Sequence, residues 1–545
     1  MNLFFNKDFY KHSLIYLLPI ASSFLFFWKL GDSSFWFDEF ATLNTISTPN
    51  LMVLLSNYFA NHLHPPLYFF ILKTYLVMLG VLIEIDQRMF AVIYCNLKFL
   101  EITGGFSNFL HLSNYYEHYN FSFSPIYANI MTEAKIRFPS AVFLTAANVL
   151  VFDFFKKNKL IMIGIIYCLL IGTNTKLIYY AQEARPYALF ILVFILVLRE
   201  FHQTLGKDLI FSNFRRLIFF NTLLCLTHYY GAFVFLCQIL FLAVKNRKNK
   251  RFIISTLLLI MSLIFIFIKI YEDLKISKFS FLTQVQIIDI KLMNLNALGY
   301  FVDWRIYLVS AAVLAIKKYI KKTSDSDIIL CSAFLFLSCL LGVIYFFNLI
   351  KPIFDNRYVI FLIPLQILIV TCIYYSNIEF LFLLVNRKGL KSAAISAGFL
   401  TFSVPLVGKQ INFHFNIFNY YQQQKFYPIK SAYVAIANDI DFKKDTNYIL
   451  EEHFAKTNFK LYEQRYSLHL IAAIDPNSST NEKEKKLKEI TDEIDYKNIF
   501  YIRVRHKETE QKEEALNLEH FSKSIIFKER DVEAYKFTKS ITQSK

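Results

Sequence analysis

Residues 215–251 read RRLIFFNTLLCLTHYYGAFVFLCQILFLAVKNRKNKR. Two apolar halves flank the polar stretch Thr227-His228-Tyr229-Tyr230-Gly231, and basic clusters close both ends, Arg215-Arg216 before and Lys245 to Arg251 after. A single crossing would strand one cluster on the far side of a bilayer, against the bias of Lys and Arg toward cytoplasmic loops. The stretch therefore reads as two short membrane spans turning at His228.

The rest of the chain extends this pattern. Apolar residues make up 55% of the 545 and aromatics 18%, more apolar surface than one soluble core would bury. Lys7 and Lys11 precede an apolar run from Ser13 to Trp28 that lacks a small-residue cleavage site, which reads as an uncleaved first span. Further apolar runs lie near 136–155, 160–179, 186–204, 252–270, 302–316, 328–349, 358–376 and 391–408. With two spans in 217–244, a polytopic α-helical membrane protein of about eleven spans results. Residues 65–100 add none or two, giving up to thirteen.

In this arrangement the basic loops 156–159, 205–216, 245–251, 317–322 and 386–391 all lie on the side of the N-terminus, which is then cytoplasmic. The chain is expected in the cytoplasmic (inner) membrane. The opposite face receives the first outer loop, 31–135, together with the turn around Arg185, His228, the stretch around Arg357 and the tail. Residues 1–408 form the membrane domain. Residues 409–545, about one third charged, alternate strand-like and helix-like pieces and read as a small extracytoplasmic α/β domain.

Charge and cysteine content exclude other classes. Residues 1–408 hold 36 Lys/Arg against 21 Asp/Glu and the tail 23 against 21, so the basic excess belongs to membrane loops and argues against a nucleic-acid partner. All seven cysteines lie in apolar stretches, with no disulfide framework or metal-type pair spacing.

Four motifs carry candidate chemistry. In Phe35-Trp36-Phe37-Asp38-Glu39-Phe40 two carboxylates follow the first span, suited to taking or holding a hydroxyl proton. Residue type alone favours the plainer reading, a helix start with interfacial aromatics. In Asn61-His62-Leu63-His64-Pro65-Pro66-Leu67-Tyr68 the histidines, with Asp38 or Glu39, have the chemistry to hold a divalent cation, although interfacial histidines explain the pattern equally simply. Tyr180-Ala181-Gln182-Glu183-Ala184-Arg185-Pro186-Tyr187 and Asp355-Asn356-Arg357-Tyr358 each place an arginine at a span entrance, fit to clamp a phosphate or to anchor at headgroups.

Taken in order, these motifs resemble the bacterial relatives of protein O-mannosyltransferases and the aminoarabinose (lipid A) transferases, multi-spanning enzymes of the GT-C fold. The resemblance rests on Phe35 to Glu39, His64 to Tyr68, Arg137-Phe138-Pro139-Ser140-Ala141, Gln182 to Tyr187, Thr227 to Gly231 and Arg357-Tyr358. It implies a polyprenyl-monophosphate sugar as donor and an envelope lipid, polysaccharide or protein as acceptor. Asp38 then takes the catalytic role with Glu39 beside it, and Arg185 and Arg357 bind the donor phosphate. His64, Tyr180, Glu183, His228 and Tyr358 become further substrate-site candidates, and a metal on Asp38, Glu39 and His64 would match some relatives. The chain departs from the family in about fifty extra residues, Gln87 to Ile136, which either cap the site or elaborate the surface.

Two other classes compete. A transporter or flippase of a lipid-linked or small substrate would use charged groups near spans, but should place them near span centres. A membrane-anchored scaffold would explain the tail and leave the ordered motifs unexplained.

Overall fold

The structure is a computed structural model and describes residues 15–31, 35, 37–46, 65–78, 132–206, 211–245, 313–319, 325–350, 360–384, 429–439, 446–451, 468–474, 480–493, 498–504, 521–529 and 532–539. Two compact units are distinguished. One comprises Met1–Trp28, Leu54–Ile71 and Arg137–Ile417, the other Lys29–Val53, Leu72–Ile136 and Phe418–Lys545.

The helices in order are α1 Leu17–Ser22, α2 Phe37–Ile46, α3 Leu67–Met78, α4 Glu133–Lys157, α5 Ile161–Gly172, α6 Thr175–Ala181, α7 Tyr187–Gly206, α8 Phe211–Thr227 and α9 Tyr230–Lys245. After the helical residues 313–319 come α10 Asp325–Ile350, α11 Leu362–Leu384, α12 Ile429–Ala437 and α13 Thr480–Glu493. Four helical stretches are long and apolar enough to cross a membrane: Glu133–Lys157, Tyr187–Thr204, Ser326–Ile344 and Leu362–Phe380. The bent pair α5–α6 makes a fifth if it is one span, so among the described residues there are four or five. The apolar runs 252–270 and 391–408 lie outside the described residues.

Local chemistry explains several boundaries. α4 begins with Glu133 and ends with Lys156-Lys157, charges that complement the helix dipole. The run expected as one span over 160–179 bends by 65° between α5 and α6. Asn174 caps α6 there, its Oδ1 accepting from Leu177 N at 3.1 Å. The stretch 217–244 divides as its polar centre requires, with His228 and Tyr229 between α8 and α9. Asn221 Nδ2 donates to Gln238 Oε1 at 2.8 Å inside that hairpin.

The run Ser13–Trp28, expected as a continuous span, is instead a short α1 followed by a single 3-10 turn, Phe24–Phe26. Ser22 Oγ and Ser23 Oγ both donate back to Pro19 O, at 3.0 and 2.8 Å, drawing that carbonyl away from the helical ladder. The buried amide Asn148 Nδ2 of α4 lies within 3.0–3.2 Å of Pro19 O, Ser22 Oγ and Ser23 Oγ. A Cβ on Gly172 of α5 would land on the Ser22 carbonyl oxygen, so glycine permits this approach.

In the same unit α5 packs on α1 and α11, α7 on α8, α9 on α10, and α10 on α11. Phe190 of α7 meets Phe361, just before α11, at a centroid distance of 4.8 Å. At the opposite ends of α10 and α11, buried Lys317 lies 2.6 Å from Asp327 Oδ2 and 2.7 Å from Glu379 Oε2. Ser376 Oγ closes this cluster by donating to Asp327 Oδ1 at 2.5 Å.

The tail forms a five-stranded sheet in the order β2-β1-β3-β5-β4, from β1 Thr446–Glu451, β2 Leu468–Ile474, β3 Asn498–Val504, β4 Phe521–Glu529 and β5 Val532–Lys539. β1 runs parallel to β2 and β3, and β5 runs antiparallel to β3 and β4. The strand-like pieces at 448–450, 499–504, 524–527 and 532–537 are therefore strands, and the charged stretch 481–493 is a helix, as expected. The expected helix over 507–521 lies outside the described residues except for Phe521, which opens β4. Tyr433 of α12 and Tyr448 of β1 meet hydroxyl to hydroxyl at 2.6 Å, fastening the helix to the sheet.

Candidate active site

Asp38 and Glu39 occupy the first turn of α2, where exposed backbone N–H groups favour negative charge. Asp38 is half-buried and Glu39 fully buried, with Phe35 buried just before them. The two carboxylates are thus inequivalent: Asp38 is reachable, Glu39 enclosed. The helix that carries them is held at its far end, because Lys73 Nζ of α3 donates to Ile46 O at 3.1 Å. Thr42 Oγ1 donates to Asp38 O at 3.1 Å and stiffens the first turn.

The second group lies in the other unit and is described by itself. Arg185 sits in the tight turn between α6 and α7, where its N–H donates to Glu183 O at 2.9 Å. Only 8% of its surface is exposed, and its guanidinium carbon is 5.7 Å from the centre of the Tyr187 ring. Tyr187 stands edge-on to Tyr180 at 5.0 Å and faces His228 at 6.1 Å. Glu183, Tyr180 and His228 are all buried, and three of the expected candidates, Arg185, Tyr180 and His228, meet around Tyr187.

His228 owes its position to the α8–α9 turn. Its Nδ1 accepts from Tyr230 N at 3.3 Å, and Gly231 follows where a Cβ would strike the backbone of Leu224 and Cys225. Burial first, and then the positive charge of Arg185, push the imidazole down to about 3, so it is neutral at physiological pH.

Two groups were not singled out by sequence reasoning. Gln182 Nε2 donates to Trp28 O at 2.6 Å and also approaches Leu25 O at 3.3 Å, fastening the Arg185 turn to the end of the first apolar run. Tyr187 had no signal beyond its place in the motif. Two motifs quoted for the resemblance also meet, Tyr68 OH lying 3.3 Å from Ser140 Oγ. Among the described residues Arg137, from the same motif as Ser140, is the largest fully buried side chain.

His64, Arg357 and Tyr358 lie outside the described residues, as does nearly all of the 87–136 insertion. Among the described residues no group of three or more His, Cys, Asp or Glu is placed to hold a metal ion. The expected metal set includes His64, so that grouping is not described.

No protein-family model matches the chain, and no curated protein does. Two solved structures align with it over 96% of this chain and 98% of theirs. They are crystal structures of ArnT from Cupriavidus metallidurans, one in the apo state (10% identity, TM-score 0.46) and one bound to undecaprenyl phosphate (11% identity, TM-score 0.44). At that level of similarity the functional reading rests on this chain's own residues.

Proposed function

We propose that this chain is an inverting membrane glycosyltransferase. It moves a sugar from a polyprenyl monophosphate to an envelope lipid, polysaccharide or protein on the outer side of the cytoplasmic membrane. The observation that carries the reading is the buried Arg185 cluster: a guanidinium beside Tyr187, which also meets Tyr180 and a neutral His228, at the entrance of a span-length helix. Enclosure strengthens its hold on an anion, and the planar fork of Arg suits two phosphate oxygens.

The chemistry is a single displacement. An acceptor hydroxyl oxygen attacks the anomeric carbon, the carbon–oxygen bond to the lipid phosphate breaks, and the hydroxyl proton passes to a base. Asp38, the accessible carboxylate of its pair, is assigned as that base, while Glu39 acts from an enclosed position at the same helix end. Arg185, with Arg357 as its expected partner, offsets charge gathering on the departing phosphate, an effect of about 3 kcal/mol per well-placed donor. A divalent cation held by Asp38, Glu39 and His64 would add positive charge beside the acidic pair.

A carrier or flippase finds its best observation in the Lys317–Asp327–Glu379 cluster, whose charges lie between helices. That cluster is internally paired and closed by Ser376, which makes it a clamp between helix ends.

Two variants assayed with a panel of polyprenyl-phosphate sugars test the assignment. Asp38→Asn should remain inserted and folded, keep donor binding, and lose transfer by about two to four orders of magnitude. Arg185→Gln should instead lose donor binding. Full transfer by Asp38→Asn sinks the assignment of Asp38 as the base, and no transfer by the natural protein from any donor in the panel sinks the enzyme reading.

A further inference from the structure

α7 has a cation near each end. Arg185 precedes its first turn and Arg199 lies fourteen residues later, about 21 Å further along at 1.5 Å per residue. Around Arg199 the ends of α4, α7 and α8 gather charge. Asp153 Oδ2 is shared between Lys157 Nζ at 2.7 Å and Arg199 Nη1 at 3.5 Å, and Tyr16 OH donates to its Oδ1 at 2.8 Å. Glu200 faces Arg216 at 3.4 Å, and Lys156 Nζ lies over the Tyr16 ring at 4.3 Å. Among these groups four cations meet two carboxylates, so this end of the bundle carries surplus positive charge.

Beside it opens a cavity of about 170 Å³ among α4, α5, α7, α9, α10 and α11. Its wall is apolar and aromatic, including Phe154, Phe201, Phe336 and Leu365, with Arg199 and His202 as its polar edge. Leu335 lines it too and is 56% exposed, so the cavity reaches the outer face of the bundle. An apolar cavity of comparable size takes up small hydrocarbons and stays dry. A sugar would leave its hydroxyls without partners against these rings.

We propose that this is a binding site for an anionic phospholipid, a few methylenes of one acyl chain entering past Leu335 and the phosphate resting against Arg199 and the Lys156-Lys157 pair. The chain needs the apolar wall and the headgroup needs the surplus charge, and the two adjoin here. A polyprenyl donor is the poorer occupant, because its phosphate would lie about 20 Å along α7 from Arg185. The site does not depend on the sugar-transfer reading, and its test reads no activity.

The full-length protein is placed in phosphatidylcholine nanodiscs containing a trace of phosphatidylglycerol with a photoreactive diazirine in one acyl chain. A phosphatidylcholine probe with the same chain serves as comparison. Peptides from residues 195–202 and 329–336 should be labelled roughly five-fold more by the anionic probe, as one added cation contact predicts. Arg199→Gln should bring that ratio near one, and Ala333→Phe, which fills the cavity, should abolish labelling by both probes. Unlabelled phosphatidylglycerol should compete and a polyprenyl phosphate should not. Equal labelling by the two headgroups, persistence of labelling in Ala333→Phe, or displacement by polyprenyl phosphate alone would overturn the proposal. If either variant misfolds, as judged by gel filtration, the headgroup ratio and the competition on the natural sequence decide it.

Discussion

Arg185 and His228 come from turns more than forty residues apart, yet the charge of the first helps to set the electrostatics of the second. Enclosure and the guanidinium hold His228 at about 3, whereas an unfolded histidine titrates near 6.5. Between these values the unfolded chain takes up a proton that the folded site refuses. The stability contributed is therefore complete above about pH 6.5 and is lost as pH falls toward 3, at up to about 1.4 kcal/mol per pH unit. His228→Gln removes this dependence. Thermal unfolding of the variant between pH 6.5 and 4.5 should show a flatter pH profile than the natural protein, and equal slopes would count against a neutral buried imidazole. Residue identities made Arg185 and His228 candidates, but their proximity was not legible, since only folding brings the α6–α7 and α8–α9 turns together. The inequivalence of Asp38 and Glu39 was equally hidden, because burial is a property of neighbours.

Helix placement was legible wherever an apolar run met a charged or polar break. The division at His228 followed from two basic clusters around a polar centre, and α4, α7, α10 and α11 lie close to their expected runs. The breaks in the first run and between α5 and α6 were not legible. Hydropathy does not register a carbonyl drawn off by Ser22, Ser23 and the distant Asn148. The α1–α5 approach gives a direct test. Gly172→Val should destabilise by about 2–3 kcal/mol or more, because the new side chain meets backbone that cannot yield. Gly342→Ala is the control: nothing lies within 4 Å of its added Cβ, and helix propensity alone predicts neutrality or a gain of about 0.5–1 kcal/mol. Equal behaviour of the two in thermal unfolding would show that the approach of α1 to α5 is not close.

For the whole molecule, orientation is an expectation drawn from loop charge. A reporter active only outside the cytoplasm, fused after Lys409, should be active, and a cytoplasmic readout would refute the span parity. The sequence by itself determined that the chain is built for a membrane, that 217–244 is broken at His228, and that the tail alternates strands and helices. Each of these is a periodicity or a charge asymmetry, carried by neighbours in the chain. Only the tertiary structure decided that Arg185, Tyr187, Tyr180 and His228 form one buried cluster, and that the first apolar run is broken by contacts with α4 and α5. It also decided that Asp38, unlike Glu39, remains reachable at its helix start. Burial, ring contacts and electrostatic shifts depend on which distant segments pack together, and no local pattern encodes that choice.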